Sequence, residues 1–274
     1  MILIVLGLWG LTFGSFVNAL VWRLHEQESK KKLSKTQRQK LSIVHGRSMC
    51  VHCKHELAWY DLLPVVSWLS LGGKCRYCRK PISWQYPVVE VLTAGLFVGS
   101  YLLWPYGFEA AGWTLFGAWL IYLVAFMALA VYDLRWMLLP NKIVYALIGL
   151  TVVQVLFKLL VYADASQVSI QAFWGFVAIG GLFYALFQLS GGRWIGGGDV
   201  KLGFMIGPLV GGPLAAVLVI FLASCMGSLV SVPLIVKKSL KPTSRIPFGP
   251  FLLAATIIVY LLGDRIADFT LNFM

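Results

Sequence analysis

Six stretches of this chain run without one charged side chain: 1–22, 91–108, 110–132, 165–192, 202–236 and 246–263. A seventh, 143–163, is interrupted only by Lys158 near its end. Runs of this length constrain the fold more than any other feature. A bilayer core is crossed by roughly 20 consecutive apolar residues in a helix, and continuous rather than alternating apolarity excludes a β-barrel. The composition agrees: 59% of residues are hydrophobic and 12% charged, against about 45–50% and 25% in soluble domains. The expected fold class is therefore an all-α polytopic membrane protein. The 202–236 run is 35 residues long and contains "GPLVGGP" at 207–213, where glycine and proline mark a turn between two helices. That makes about eight transmembrane helices, the sixth (about 200–210) unusually short; a short helix with a re-entrant turn is the alternative.

Basic residues set the expected orientation. Segment 23–85 carries 13 Lys and Arg; Arg135 and Lys142, Arg193 and Lys201, and Lys237, Lys238, Lys241 and Arg245 follow later runs. With eight crossings these 21 fall on one side, leaving Lys158 and Arg265 on the other. By the positive-inside tendency that side is cytoplasmic. The first run has no basic stretch ahead of it, so it reads as a retained helix with its N-terminus outside rather than a cleaved signal. The net charge of +12 then reports topology and attraction to anionic membrane lipid, not nucleic-acid binding.

The expected organisation is helix 1 at 1–22, a cytoplasmic insert at 23–86, and a transmembrane catalytic part at 87–274. Residues 25–47, rich in Lys, Gln and Ser, are expected to be mobile. Two C-x2-C pairs follow, Cys50/Cys53 and Cys75/Cys78. Four thiolates at such spacing close a tetrahedral zinc shell with no open position, so the metal is structural. Disulfides are the alternative, disfavoured in a reducing compartment. His52 and His55 stand beside the first pair as alternative ligands. Cys225, alone in an apolar run, reads as a small buried residue.

Two acids carry the chemistry. Asp133 ends the third run in "AVYDLRWMLLPN" and Asp199 opens the sixth in "GGGDVK". Two crossings separate them, so both lie at the cytoplasmic edge. Gly196, Gly197 and Gly198 clear the space before Asp199 and would let a substrate backbone approach. Two carboxylates at one water-accessible place suit amide hydrolysis, because close like charges share one proton: one member activates water while the other hydrogen-bonds the scissile carbonyl. Structural readings compete. Asp199 can pair with Lys201 or cap its helix, and Asp133 can pair with Arg135. Glu90, in "WQYPVVEVLTAG", is a third acid at a membrane edge, set to assist the site or to pair with a base.

The chain resembles the bacterial type IV prepilin peptidases of pilus, type II secretion and competence systems. The resemblance rests on "GSFVNALVWRL" at 14–24, the "CVHC"/"CRYC" insert with "PISWQYPVVE", "DLRWMLLPN", "GGGD" and "IPFGPFLLAA" at 246–255, in that order. It implies that Asp133 and Asp199 are the catalytic pair, with Gly196, Gly198, Lys201 and Glu90 as supporting residues. It further implies removal of a short basic leader from type IV prepilin or pseudopilin precursors. In many members the new N-terminus is also methylated from S-adenosylmethionine, an activity associated with the insert and the "GSFVN" region. One departure is Asn141, where many members have Asp. An ion- or proton-coupled transporter using Asp133 and Asp199 and a non-catalytic, zinc-stabilised scaffold are the competing classes.

Overall fold

The computed structural model describes residues 1–29, 34–43, 45–236 and 246–271. Lys237, Lys238, Lys241 and Arg245, which entered the charge count, lie outside the described residues. Among the described residues there is no strand, only two isolated bridges, Met49 with Glu56 and Lys74 with Pro81. Each expected apolar segment is a helix: α1 (Ile2–Ser29), α4 (Gln85–Leu102), α5 (Ala110–Trp136), α6 (Asn141–Val161), the rod α7 (Ala165–Phe176) and α8 (Leu182–Ser190), α9 (Gly197–Val210), α10 (Pro213–Val236) and α11 (Gly249–Leu271). Two short helices, α2 (Lys35–Lys40) and α3 (Val66–Ser70), lie in the insert. Five of the helices (α1, α5, α6, the α7–α8 rod and α10) are long and apolar enough to cross a membrane. The chain is an all-helical, multi-pass membrane protein.

Contacts divide it into two units, 1–102 with 120–128, and 103–119 with 129–274. The first unit is built on the pairing of α1 with α4. Gly10 and Gly14 have no side chains because α4 occupies their space: a Cβ on Gly14 would lie 2.5 Å from Glu90 Cα. Small residues at such a seam are how helices associate in lipid, where burial of apolar surface supplies no drive. Asn18, buried in α1, donates to the Tyr86 carbonyl and accepts from Gln85.

α1 does not stop at Trp22. It runs on to Ser29, and Arg23 is 5% exposed. The Arg23 guanidinium donates to the carbonyls of Ser42, Ile43 and Gly46 at 3.1, 3.1 and 2.9 Å. Ser34 and Gln37 form a reciprocal cap that starts α2. Arg23 thus gathers the 42–46 stretch of the segment expected to be mobile, of which residues 30–33 and 44 lie outside the described residues; one fork of five N–H donors is enough to collect orphan loop carbonyls.

In the second unit, Asp164 caps α7 by accepting the Gln167 N–H. A π-helical segment, Val177–Gly181, joins α7 to α8. α7 packs on α9 through facing glycines; a Cβ on Gly175 or Gly207 would strike the other's backbone. α9 is short, as expected, and ends at Gly211 (φ 76°) and Gly212 (φ 148°), which reverse the chain into α10.

Candidate active site

Asp133 lies in the last turn of α5. The helix closes one residue after Trp136, where Met137 takes a left-handed conformation and returns its N–H to the Asp133 carbonyl at 2.8 Å. Leu138, Leu139 and Pro140 then lead into α6. Asp133 is 6% exposed. Asp199 is the third residue of α9, whose N-cap is Gly196. The Gly196 N–H hydrogen-bonds the Asp199 carboxylate. This is the acidic half of a capping box: an N-terminal helix amide is satisfied and the side-chain direction is fixed.

A third segment completes the arrangement. Gly249, the first residue of α11, offers its backbone N–H to the Asp133 carboxylate. A Cβ built on Gly249 would lie 2.5 Å from Asp133 Oδ2 and 3.8 Å from Asp199 Oδ1. Both oxygens therefore surround one point, which bounds their separation at about 6.3 Å. The two acids, 66 residues apart in the chain, are thus brought to one place. Gly249 was not singled out from the sequence. Its signal was the glycine of "IPFGP", set between two prolines of a motif that carried resemblance but no role.

The supporting residues fall out unequally. A Cβ on Gly196 would be 3.4 Å from Asp199 Oδ2, so this glycine borders the carboxylate. The Gly198 space is filled by the chain itself: a Cβ there would lie 2.8 Å from Leu139 Cδ1. Lys201 does not pair with Asp199. Its ammonium donates to Asn141 Oδ1 at 2.7 Å and lies over the Tyr145 ring, tying the first turn of α9 to the start of α6. Arg135 lies over the Trp136 ring rather than pairing with Asp133. Glu90 belongs to the first unit; its Oε2 accepts the Val65 N–H at 2.7 Å, so its partner is a backbone amide and not a base.

The four cysteines converge as expected. Cys50, Cys53, Cys75 and Cys78 hold their sulfurs within 4.8 Å of one another, and Cys50 and Cys78 are 3.9 Å apart. The two pairs sit on matching backbone turns. Lys54 and Arg79 both have φ 60° and return their N–H to the carbonyls of Cys50 and Cys75; the N–H groups of Cys50 and Cys75 reach His55 and Lys80. No disulfide forms among them. Burial pushes the Cys50 thiol up to about 11. At Cys75 burial is outweighed by the backbone amides of Cys78 and Tyr77, which draw it to about 7. His55 lies against Tyr77, ring centroids 3.7 Å apart and tilted by 49°, and stands outside the thiol cluster. Cys225 is half-buried in α10.

The family model for the bacterial peptidase A24 N-terminal domain matches residues 8–104, and that for the type IV leader peptidase family matches 119–232. A prepilin leader peptidase/N-methyltransferase of Pseudomonas aeruginosa is 31% identical over 97% of this chain and 92% of its own. One from Aeromonas hydrophila is 33% identical over 97% and 93%. A type 4 prepilin-like proteins leader peptide-processing enzyme of Escherichia coli O78:H11 is 34% identical over 92% and 91%. No solved structure matches the chain. With a catalytic-type carboxylate pair, a tetrathiol insert and near full-length similarity to these enzymes, the chain belongs to the type IV leader peptidase family.

Proposed function

We propose that this membrane enzyme cleaves the leader peptide of type IV prepilin-like precursors with Asp133 and Asp199, and methylates the N-terminus so exposed. One observation carries the catalytic part: both carboxylates border the single point in front of Gly249. Like charges brought within about 6.3 Å of one another resist ionising together, so the pair holds one proton. The ionised member takes a proton from water as the water oxygen adds to the scissile carbonyl carbon; the protonated member hydrogen-bonds the carbonyl oxygen, and the C–N bond then breaks as the amine leaves with a proton returned by the pair. The proton belongs to the dyad and is not assigned to one acid. The Gly196 and Gly249 amides hold the two carboxylates in place, and Lys201 with Asn141 braces the helix that carries Asp199.

The four thiols fit a tetrahedral zinc ion in number, chemistry and spread; such a metal would fold the insert at 23–86 and leave the chemistry to the part at 87–274. Methylation implies S-adenosylmethionine, which supplies an electrophilic methyl group. Its sulfonium is a cation, and Glu90, buried beside the Ser15 of "GSFVN", is an acid of fitting charge in the first unit. We place the protein in the bacterial inner membrane, N-terminus outside, with insert and dyad on the cytoplasmic side, where a precursor presents its basic leader.

The test is co-expression with a prepilin, followed by mass measurement of the product N-terminus. Wild type should release the leader and add one methyl group. Asp133→Asn and Asp199→Asn should each leave the precursor intact while the protein remains folded in the membrane. Full cleavage by either variant would remove the dyad, and ion flux lost without precursor accumulating would favour a transporter.

A further inference from the structure

The insert carries an apolar face that peptide hydrolysis does not use. Between 57 and 73 the chain has one charged residue, Asp61. That side chain is 3% exposed and fully engaged, accepting from Arg76 at 2.7 Å, Tyr77 at 3.2 Å and the Ala58 N–H at 3.3 Å. What the segment shows outward is uncharged and large: Trp59 is 75% exposed, Leu63 44%, Val66 61% and Leu69 62%. A module bathed in water rarely leaves such a contiguous face open.

The turn at the centre of this face fixes its depth. Val65 has φ 61° and ψ −49°, and the Val66 N–H closes back to the Pro64 carbonyl at 2.6 Å. This is a γ-turn of the strained hand, costing on the order of 1–3 kcal/mol, and a β-branched residue at its centre is a true outlier. It is held by the Val65 N–H, which donates to Glu90 Oε2 at 2.7 Å. Glu90 is buried and lies five residues beyond the first residue of α4, about 7.5 Å along the axis. A loop tied at that level, its backbone N–H satisfied by a buried carboxylate, sits where the apolar part of α4 has already begun. Lys74, Arg79 and Lys80 are exposed on the cysteine turn that follows, and basic side chains are what anionic headgroups attract.

We propose that residues 59–71 are a re-entrant interfacial element. The turn at 63–66 enters the lipid at the end of the membrane that carries the insert, and the cysteine turns stand over the anionic headgroups. The occupant of the apolar face is the bilayer. Two features decide against a protein partner: residues 59–71 themselves expose no charge, the Asp61 side chain being 3% exposed, and the tie to Glu90 pulls the face towards lipid. The Glu90–Val65 hydrogen bond is the strap that keeps a strained, apolar turn at this level.

The test uses the full chain in nanodiscs of phosphatidylethanolamine and phosphatidylglycerol, with p-benzoylphenylalanine replacing Leu63, Val66 or Leu69 in turn, and Lys80 as the comparison position. After irradiation the protein is digested and adducts are identified by mass. Positions 63, 66 and 69 should each gain a phospholipid, on the order of tenfold more than position 80. No lipid adduct above the level of position 80 would overturn the proposal. So would adducts chiefly to a second copy of the chain or to added precursor. The readout needs no catalysis, so failure here leaves the peptidase reading standing, and loss of cleavage elsewhere leaves this one standing.

Discussion

Gly249→Ala isolates the geometry on which catalysis rests. The added methyl carbon would lie 2.5 Å from Asp133 Oδ2, whereas ordinary contact begins near 3.4 Å. The carboxylate must therefore retreat by about 0.9 Å, or α11 must move away and take the Gly249 amide with it. Alanine is no worse than glycine for the backbone there, since Gly249 is not among the residues with positive φ, so the change acts on the dyad rather than on the helix. Displacing a reacting group by about 1 Å costs on the order of 100-fold in rate, equivalent to about 2.7 kcal/mol of barrier.

Two comparison variants make the reasoning quantitative. Gly198→Ala meets Leu139 Cδ1 at 2.8 Å and its Cβ at 3.2 Å, so the side chain must turn and its root give by a few tenths of an ångström, and the variant should lose roughly 10-fold. Gly196→Ala reaches only 3.4 Å from Asp199 Oδ2 and should lose no more than about 3-fold. Initial rates on a purified prepilin, with detergent-solubilised enzyme, give kcat and KM for each. The expected order of damage is 249, then 198, then 196, carried by kcat with KM nearly constant. A Gly249→Ala enzyme with rates close to wild type, or an inverted order in the series, would refute the claim that space in front of Gly249 belongs to the dyad.

Other expectations concern the supports. Lys201→Met removes the hydrogen bond to Asn141 and should slow cleavage about 10-fold without unfolding the protein; Asn141→Asp keeps an acceptor for the ammonium and should stay within about 3-fold of wild type. Cys53→Ser breaks the tetrathiol set; metal analysis should find bound zinc in purified wild type and none in the variant, whose insert should become protease-sensitive. Glu90→Leu strands the Val65 N–H in a strained turn, lowering stability by about 1–3 kcal/mol in thermal unfolding, while Glu90→Gln, which keeps an acceptor, should recover most of it. Gly14→Ala drives a Cβ to 2.5 Å from Glu90 Cα. Backbone cannot turn aside as a side chain can, so α1 and α4 must separate, and the variant should lose yield and melting temperature together.

The helices were legible because lipid imposes its own grammar: a run without charge must be long and must be helical. The meeting of Asp133 and Asp199 was legible too, since two crossings return a chain to the side it left. Gly249 was not, because its meaning is a missing atom beside a carboxylate 116 residues earlier. Arg23 read as one more topology charge, yet it is buried and gathers three carbonyls; a count of charges cannot tell a solvated cation from a structural fork. The glycines before Asp199 read as a platform for substrate, but the Gly198 space is taken by Leu139, a residue from the turn after the other aspartate. Glu90 read as seeking a base, and its partner is an amide that only a strained turn presents.

Three helix ends meet at the dyad: the last turn of α5 with Asp133, the first turn of α9 with Asp199, and the first residue of α11 with Gly249. Each carboxylate is served by the opening amide of a helix, Asp199 by that of its own and Asp133 by that of α11. The consequence is an order of assembly. A chain extended through α10 already holds both acids, but Asp133 still lacks its donor and the wall that confines it. Competence to hydrolyse peptide bonds is therefore expected to arrive with α11. Until α11 docks, Asp133 would lack the Gly249 amide, which should keep the enzyme inert while its own helices are still being inserted. A fragment ending at 236 should be membrane-bound and inert, and supplying the remaining helix as a separate chain should restore cleavage. Cleavage by the fragment alone would show that the two acids organise themselves without Gly249.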